Sequence, residues 1–63
     1  SVGANIKKRR FELKMSQKEL ADVAGVSEAG MSYFVRGVKQ PSLAVAKRIA
    51  DKLGVTVDEL LTE

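Results

Sequence analysis

The 63-residue chain contains no cysteine, no histidine and no tryptophan. Without cysteine there is no disulfide framework, no thiolate metal site and no cysteine nucleophile. Without histidine the usual general base and the commonest metal ligand are gone. No apolar run approaches the ~20 residues that a membrane helix needs. No charged-then-apolar leader precedes a small-residue cleavage site, so nothing points to secretion. A cysteine-free composition fits a reducing, cytoplasmic compartment. The length implies one small domain, residues 1–63. A domain of this size buries only about 60% of the surface its unfolded chain exposes, which leaves little room for a deep cleft. Acid–base chemistry would fall to Asp, Glu, Lys or Tyr33 on a surface too small to exclude water. The expectation is a binding protein rather than an enzyme, with no cofactor, no metal and no small-molecule substrate.

What the chain does have is a basic excess. Eleven Lys and Arg face eight Asp and Glu, a net charge of +3. Residues 1–14 carry Lys7, Lys8, Arg9, Arg10 and Lys14 against Glu12, and residues 31–54 add Arg36, Lys39, Lys47, Arg48 and Lys52 against Asp51. The C-terminal stretch is acidic, with Asp58, Glu59 and Glu63. Two basic zones suit a polyanion partner, and they equally suit an ordinary solvated surface.

Strand signals are poor, while helix start and stop signals are dense. Ile6, Arg10 and Leu13 recur at helical spacing, which predicts a first helix over about 2–13. Ser16-Gln17-Lys18-Glu19 reads as a capping box, with Met15 and Leu20 placed as a hydrophobic staple. A second helix is then expected over Gln17–Ala24, ended by Gly25. Ser27 opens a third, which Gly37 ends after Arg36. Pro41-Ser42 starts a fourth, with Leu43, Ala46, Ile49, Ala50 and Leu53 as its buried stripe and Gly54 as its end. Thr56-Val57-Asp58-Glu59 is a second capping box and opens a short last helix. Val55 and Leu60 staple it, and Leu60 and Leu61 are read as core. There is no internal repeat, low-complexity tract or linker.

Residues 17–36 carry the functional signal. Two short helices joined by Gly25-Val26-Ser27 form the pattern of a helix-turn-helix. Leu20, Ala24, Met31 and Phe34 face inward, the small Ala21 permits close approach, and Val26 plugs the turn. That leaves Ser27, Glu28, Ala29, Ser32, Tyr33 and Arg36 on the outward face.

These residues resemble the DNA-binding domain of the lambdoid phage repressor and Cro family. The likeness runs through Met15-Ser16-Gln17-Lys18-Glu19-Leu20-Ala21, Ala24-Gly25-Val26-Ser27 and Arg36-Gly37-Val38-Lys39-Gln40-Pro41-Ser42-Leu43. It continues from Ile49 to Leu61 and so covers essentially the whole chain. The resemblance implies an all-α, five-helix, lambda-repressor-like fold and sequence-specific binding of double-stranded DNA by a prokaryotic or phage transcriptional regulator. It implies that the helix over about 28–36 lies in the major groove. Ser27, Glu28, Ala29, Ser32 and Tyr33 are then the candidate base readers. Gln17, at a positive helix end, is the candidate phosphate contact, with Lys18, Arg9, Arg36, Lys39 and Gln40 as further backbone candidates. Relatives of this kind read paired half-sites roughly 34 Å apart as a homodimer on a palindromic site. The alternative is a protein-interaction module, natural or engineered, on the same fold with altered or lost DNA readout.

The chain departs from the family pattern at Glu28, Gly30, Tyr33 and Val35, the last opposite Arg10; Tyr33 is read as touching a thymine methyl or a phosphate, as covering the helix, or as anchoring a protein partner. Glu28 stands where relatives often carry Gln or Arg. A carboxylate accepts from cytosine N4 but repels phosphate, and it also simply complements a helix N-terminus. Gly30 lies inside a helix at a cost of about 1 kcal/mol relative to Ala, read here as tolerated rather than as a close-approach site. Arg10 falls on the apolar face of the first helix, yet Val35 occupies the place where relatives commonly supply a glutamate partner. Arg10 must snorkel, or pair with backbone carbonyls or with a carboxylate of the last helix. With no such carboxylate partner, Arg10→Met is expected to be neutral or stabilising in thermal melts, and a loss above about 2 kcal/mol would reveal a strong partner.

Overall fold

The computed structural model describes residues 1–62, so Glu63 of the acidic tail lies outside the described residues. Five helices follow one another: α1 (Val2–Glu12), α2 (Gln17–Ala24), α3 (Glu28–Arg36), α4 (Leu43–Leu53) and α5 (Val57–Leu61). Each opens on a hydroxyl. The side-chain oxygens of Ser1, Ser16, Ser27, Ser42 and Thr56 accept from the amide three residues on, at 3.2, 3.0, 2.9, 3.2 and 3.0 Å. Each cap of this kind contributes about 1 kcal/mol. At α2 and α5 the box closes, because the Glu19 and Glu59 carboxylates accept from the backbone amides of Ser16 and Thr56 at 3.1 and 2.9 Å. Those backbone bonds, with the hydroxyl bonds second, hold both carboxyls below the usual carboxylate range.

The far ends of α2, α3 and α4 stop on Gly25, Gly37 and Gly54, all in the left-handed region. α1 stops differently. It ends at Glu12, and Leu13 caps it at φ −87°. Lys14 then takes φ 55° without being glycine, and the amides of Lys14 and Met15 turn back to the carbonyls of Phe11 and Arg10. Leu13 keeps a near-helical backbone at this end, yet it is 40% exposed rather than part of the apolar face expected for it.

All five helices contribute to the core. Ile6, Leu20, Met31, Ile49, Leu53 and Leu60 are its large fully buried members, and Ala21, Ala24, Ala46 and Ala50 fill the narrow spaces between them. Met15, Val26, Phe34, Val45 and Val55 pack against it from its rim. Two expected core positions fail. Leu43 is 74% exposed, because it is the first residue of α4 and no element covers that turn. Leu61 is 44% exposed while its neighbour Leu60 is buried, since a helix of five residues offers only one side to the core.

α1 and α3 approach closely at Gly3. A Cβ on the buried Gly3 would overlap the carbonyl of Val35, so glycine is needed for the two backbones to meet. Arg10, on the same helix, resolves its missing carboxylate locally. Its guanidinium donates to the Met15 carbonyl at 2.9 Å, while its buried Nε has no partner.

Gly3→Ala is expected to destabilise the fold by about 2–3 kcal/mol in urea unfolding, because overlap with the Val35 backbone cannot be relieved by a side-chain rotation. For Arg10→Met, a charged hydrogen bond is lost while a buried orphan Nε is removed. The melt should therefore stay within about 1 kcal/mol of the parent. Because Glu19 and Glu59 are held below their ordinary range, their contribution is fully present above the unfolded-state pKa and is lost as pH falls through the lowered folded values. Acid titration of stability should show this loss, and the Glu19→Gln, Glu59→Gln double variant should flatten it.

Candidate nucleic-acid interface

The segment from α2 to α3 turns in three residues. Gly25 sits at φ 74°, its amide directed at the carbonyls of Ala21 and Asp22. The Val26 amide donates to the Ala21 carbonyl at 3.1 Å and the Val26 side chain packs on the core. Ser27 is extended and caps α3. Buried Ala21 puts no bulk between α2 and α3, and fully buried Met31 fixes the roll of α3. A further clamp comes from outside the motif: Arg48 of α4 donates to the Ala24 carbonyl at 3.2 Å, satisfying the end of α2. Sequence spacing did not single out Arg48, since a basic residue in a helix is ordinary and its partner is 24 residues away.

With Met31 inward, the first turns of α3 present Ser27, Glu28, Ala29 and Tyr33 as exposed residues and Ser32 as half-buried. The Ser27 hydroxyl is already engaged, accepting from the Gly30 amide at 2.9 Å. Gly30 is part of that arrangement, because a Cβ there would come within 3.2 Å of the Ser27 oxygen. Ser32 Oγ accepts from Arg36 Nε at 3.2 Å. The Tyr33 ring lies beneath two cations, with the Arg36 guanidinium carbon 5.2 Å and Lys39 Nζ 5.3 Å from its centroid. Lys39 and Gln40 are exposed in the segment after α3.

The start of α2 forms a second potential contact. Gln17 is half-buried and Lys18 exposed in its first turn. The capping box takes up the Glu19 amide, while the amides of Gln17 and Lys18 have no intrahelical acceptor, which is the usual setting for an anion. Arg9 is placed elsewhere. Its Nε donates to the Leu53 carbonyl at 2.8 Å and it pairs with Glu12 at 3.4 Å. Among the described residues its hydrogen bonds and ion pair go to Leu53 and Glu12, not to α2 or α3. It lines a depression of about 400 Å³ with Asn5, Glu12, Gly54 and Glu59, away from the candidate readers. A second depression, about 520 Å³, lies along α1 beside Phe11, which is 80% exposed. Among the described residues no cluster of three or more metal-ligating side chains occurs, and no helix is long and apolar enough to cross a membrane.

Comparison with known proteins adds three kinds of likeness. A helix-turn-helix family model matches residues 6–60. YqaF of Bacillus subtilis (strain 168), described as an uncharacterized HTH-type transcriptional regulator, is 37% identical over 49 residues, which cover 78% of this chain and 64% of that protein. The immunity repressor protein of Bacillus phage phi105 is 33% identical over 63 residues, all of this chain and 44% of the repressor. The chain thus spans about two-thirds or less of the length of these curated relatives. Among solved structures, the N-terminal DNA binding domain of SinR from Bacillus subtilis superimposes with a TM-score of 0.89 at 35% identity, over 98% of this chain and 91% of that one.

Proposed function

The chain belongs to the helix-turn-helix family, and from that premise we propose that it binds double-stranded DNA in a sequence-specific manner as a cytoplasmic transcriptional regulator. It acts by binding rather than by catalysis. The observation that carries this reading is the presentation of α3. A capped three-residue turn and a fully buried Met31 hold the helix so that Glu28, Ala29 and Tyr33 face solvent together. An exposed helix face fixed in this way fits the width of a major groove. Glu28 and Ala29, in the first turn, are the proposed base readers, with Ser32 beside them. Glu28 is suited to the amino group of cytosine, and Ala29 to a thymine methyl. Gln17, Lys18 and the free amides of α2 would hold one phosphate stretch, and Arg36, Lys39 and Gln40 another. The similarity to an immunity repressor and to the DNA binding domain of SinR supports the same reading.

One observation favours a protein-interaction module instead. From Glu28 to Val35, α3 carries no Lys or Arg, and its one charged side chain is an exposed carboxylate. Selection of bound duplexes from a random pool separates the two readings. DNA reading predicts a recovered consensus arranged as two inverted half-sites for a homodimer. It also predicts an affinity that falls about 100-fold between 50 and 200 mM salt if four or so phosphates are neutralised. No enrichment above background at low salt overturns it in favour of a protein partner.

A further inference from the structure

We infer that Tyr33 is a positioning residue rather than a base reader, and that it gathers Arg36 and Lys39 into one edge that grips the phosphate backbone of duplex DNA. The inference rests on the DNA-binding reading and assigns a different part of the interface to Tyr33. Both cations lie within the ~6 Å over which a ring attracts a cation, at 5.2 and 5.3 Å from the same centroid. The backbone makes this meeting happen. Gly37 turns the chain at φ 77°, and the Tyr33 carbonyl then accepts from the amides of Val38 at 2.9 Å and Lys39 at 3.4 Å. Lys39 is thereby brought back over the residue whose carbonyl anchors the turn. Arg36 is held from its other side by Ser32 Oγ, at 3.2 Å.

Two like charges are thus collected at one ring, and no carboxylate answers them. Among the described residues the ion pair is Arg9–Glu12, on another face. Gathering like charges without a counter-charge is unfavourable unless a dense polyanion completes the site. The ring also restricts two long side chains that would otherwise surrender their rotamer freedom on binding. With two cations over its ring, Tyr33 is less available to a base, while the cations themselves carry no sequence information.

The test compares the parent with Tyr33→Phe and Tyr33→Leu on two duplexes, a selected site and an unrelated sequence, over a series of salt concentrations. Tyr33 is partly exposed and outside the core cluster, and equal melting temperatures would show that the variants fold. The expected result for Tyr33→Leu is a loss of roughly tenfold on both duplexes alike. Its log affinity–log salt slope should be shallower by about one to two units, and Tyr33→Phe should restore both. In the free protein, the Lys39 side-chain methylene resonances should be shifted by the ring in the parent and in Tyr33→Phe, and not in Tyr33→Leu. A loss confined to the selected duplex would mean that Tyr33 reads bases, and an unchanged slope would mean that it positions nothing. Either outcome overturns the inference while leaving DNA binding intact. Failure of the parent itself to bind either duplex would overturn the DNA-binding reading and the inference with it.

Discussion

Helices of five to eleven residues are too short to be stable alone, and a large share of their backbone polar groups, the first four amides and last four carbonyls of each, have no intrahelical partner. In this chain those ends are satisfied from two directions. Hydroxyls at Ser1, Ser16, Ser27, Ser42 and Thr56 take up amides at the helix starts. Side chains from other helices take up carbonyls at the stops. Arg48 serves α2, Arg9 serves α4, and Asn5 donates to the Leu60 and Thr62 carbonyls at the end of α5. The second group does more than satisfy orphans. Each bond ties two helices that the small core alone would hold loosely, so the same interaction closes an end and fixes an orientation.

This use of side chains decides where positive charge is available. The net charge of +3 suggests a basic protein, yet three of its four arginines are occupied with backbone carbonyls. Arg9, Arg10 and Arg48 serve the architecture. Arg36 alone among the arginines stands on the α3 side of the helix-turn-helix, with Lys39 beside it and Lys18 at the start of α2. Around the motif the positive charge thus stands at its margins, on Arg36, Lys39 and Lys18, while the outward turn of α3 carries Glu28; Lys7, Lys8, Lys14, Lys47 and Lys52 are exposed elsewhere along the chain. Such a division suits an interface in which backbone grip and base reading are done by different residues.

Much of the fold was legible because its signals are local. Caps, capping boxes and left-handed glycines are decided within four residues, and they placed the boundaries of α2 and α3 and the start of α5 as observed. The inward set of the motif, Leu20, Ala24 and Met31, follows from helical period alone. What failed depends on what lies across the gap. Leu13, Leu43 and Leu61 satisfy the periodicity of their helices, but each lies at a helix end and stays outside the core, at 40%, 74% and 44% exposed. The candidate site was legible to a similar depth. The outward face of α3 could be read from spacing, whereas the engagement of Arg9 with Leu53 and the clamp of Arg48 on Ala24 join residues 44 and 24 positions apart and leave no trace in either segment.

Val35 links the architecture to the interface. It packs against the core from the last turns of α3, and its carbonyl lies against Gly3 of α1. The family pattern commonly supplies a carboxylate at this position as a partner for an arginine placed like Arg10. With valine there, Arg10 turns to the Met15 carbonyl, and an apolar contact replaces an ion pair between helices, an exchange that is often neutral or favourable for stability. The consequence for function is on the other side of the helix. The last turn of α3 is left with Arg36 and no acid, and the segment that follows adds Lys39. Val35 thus settles the packing beneath α3, while Arg36 and Lys39 gather over Tyr33 on its outward side, where the proposed reading gives them the DNA backbone as their ligand.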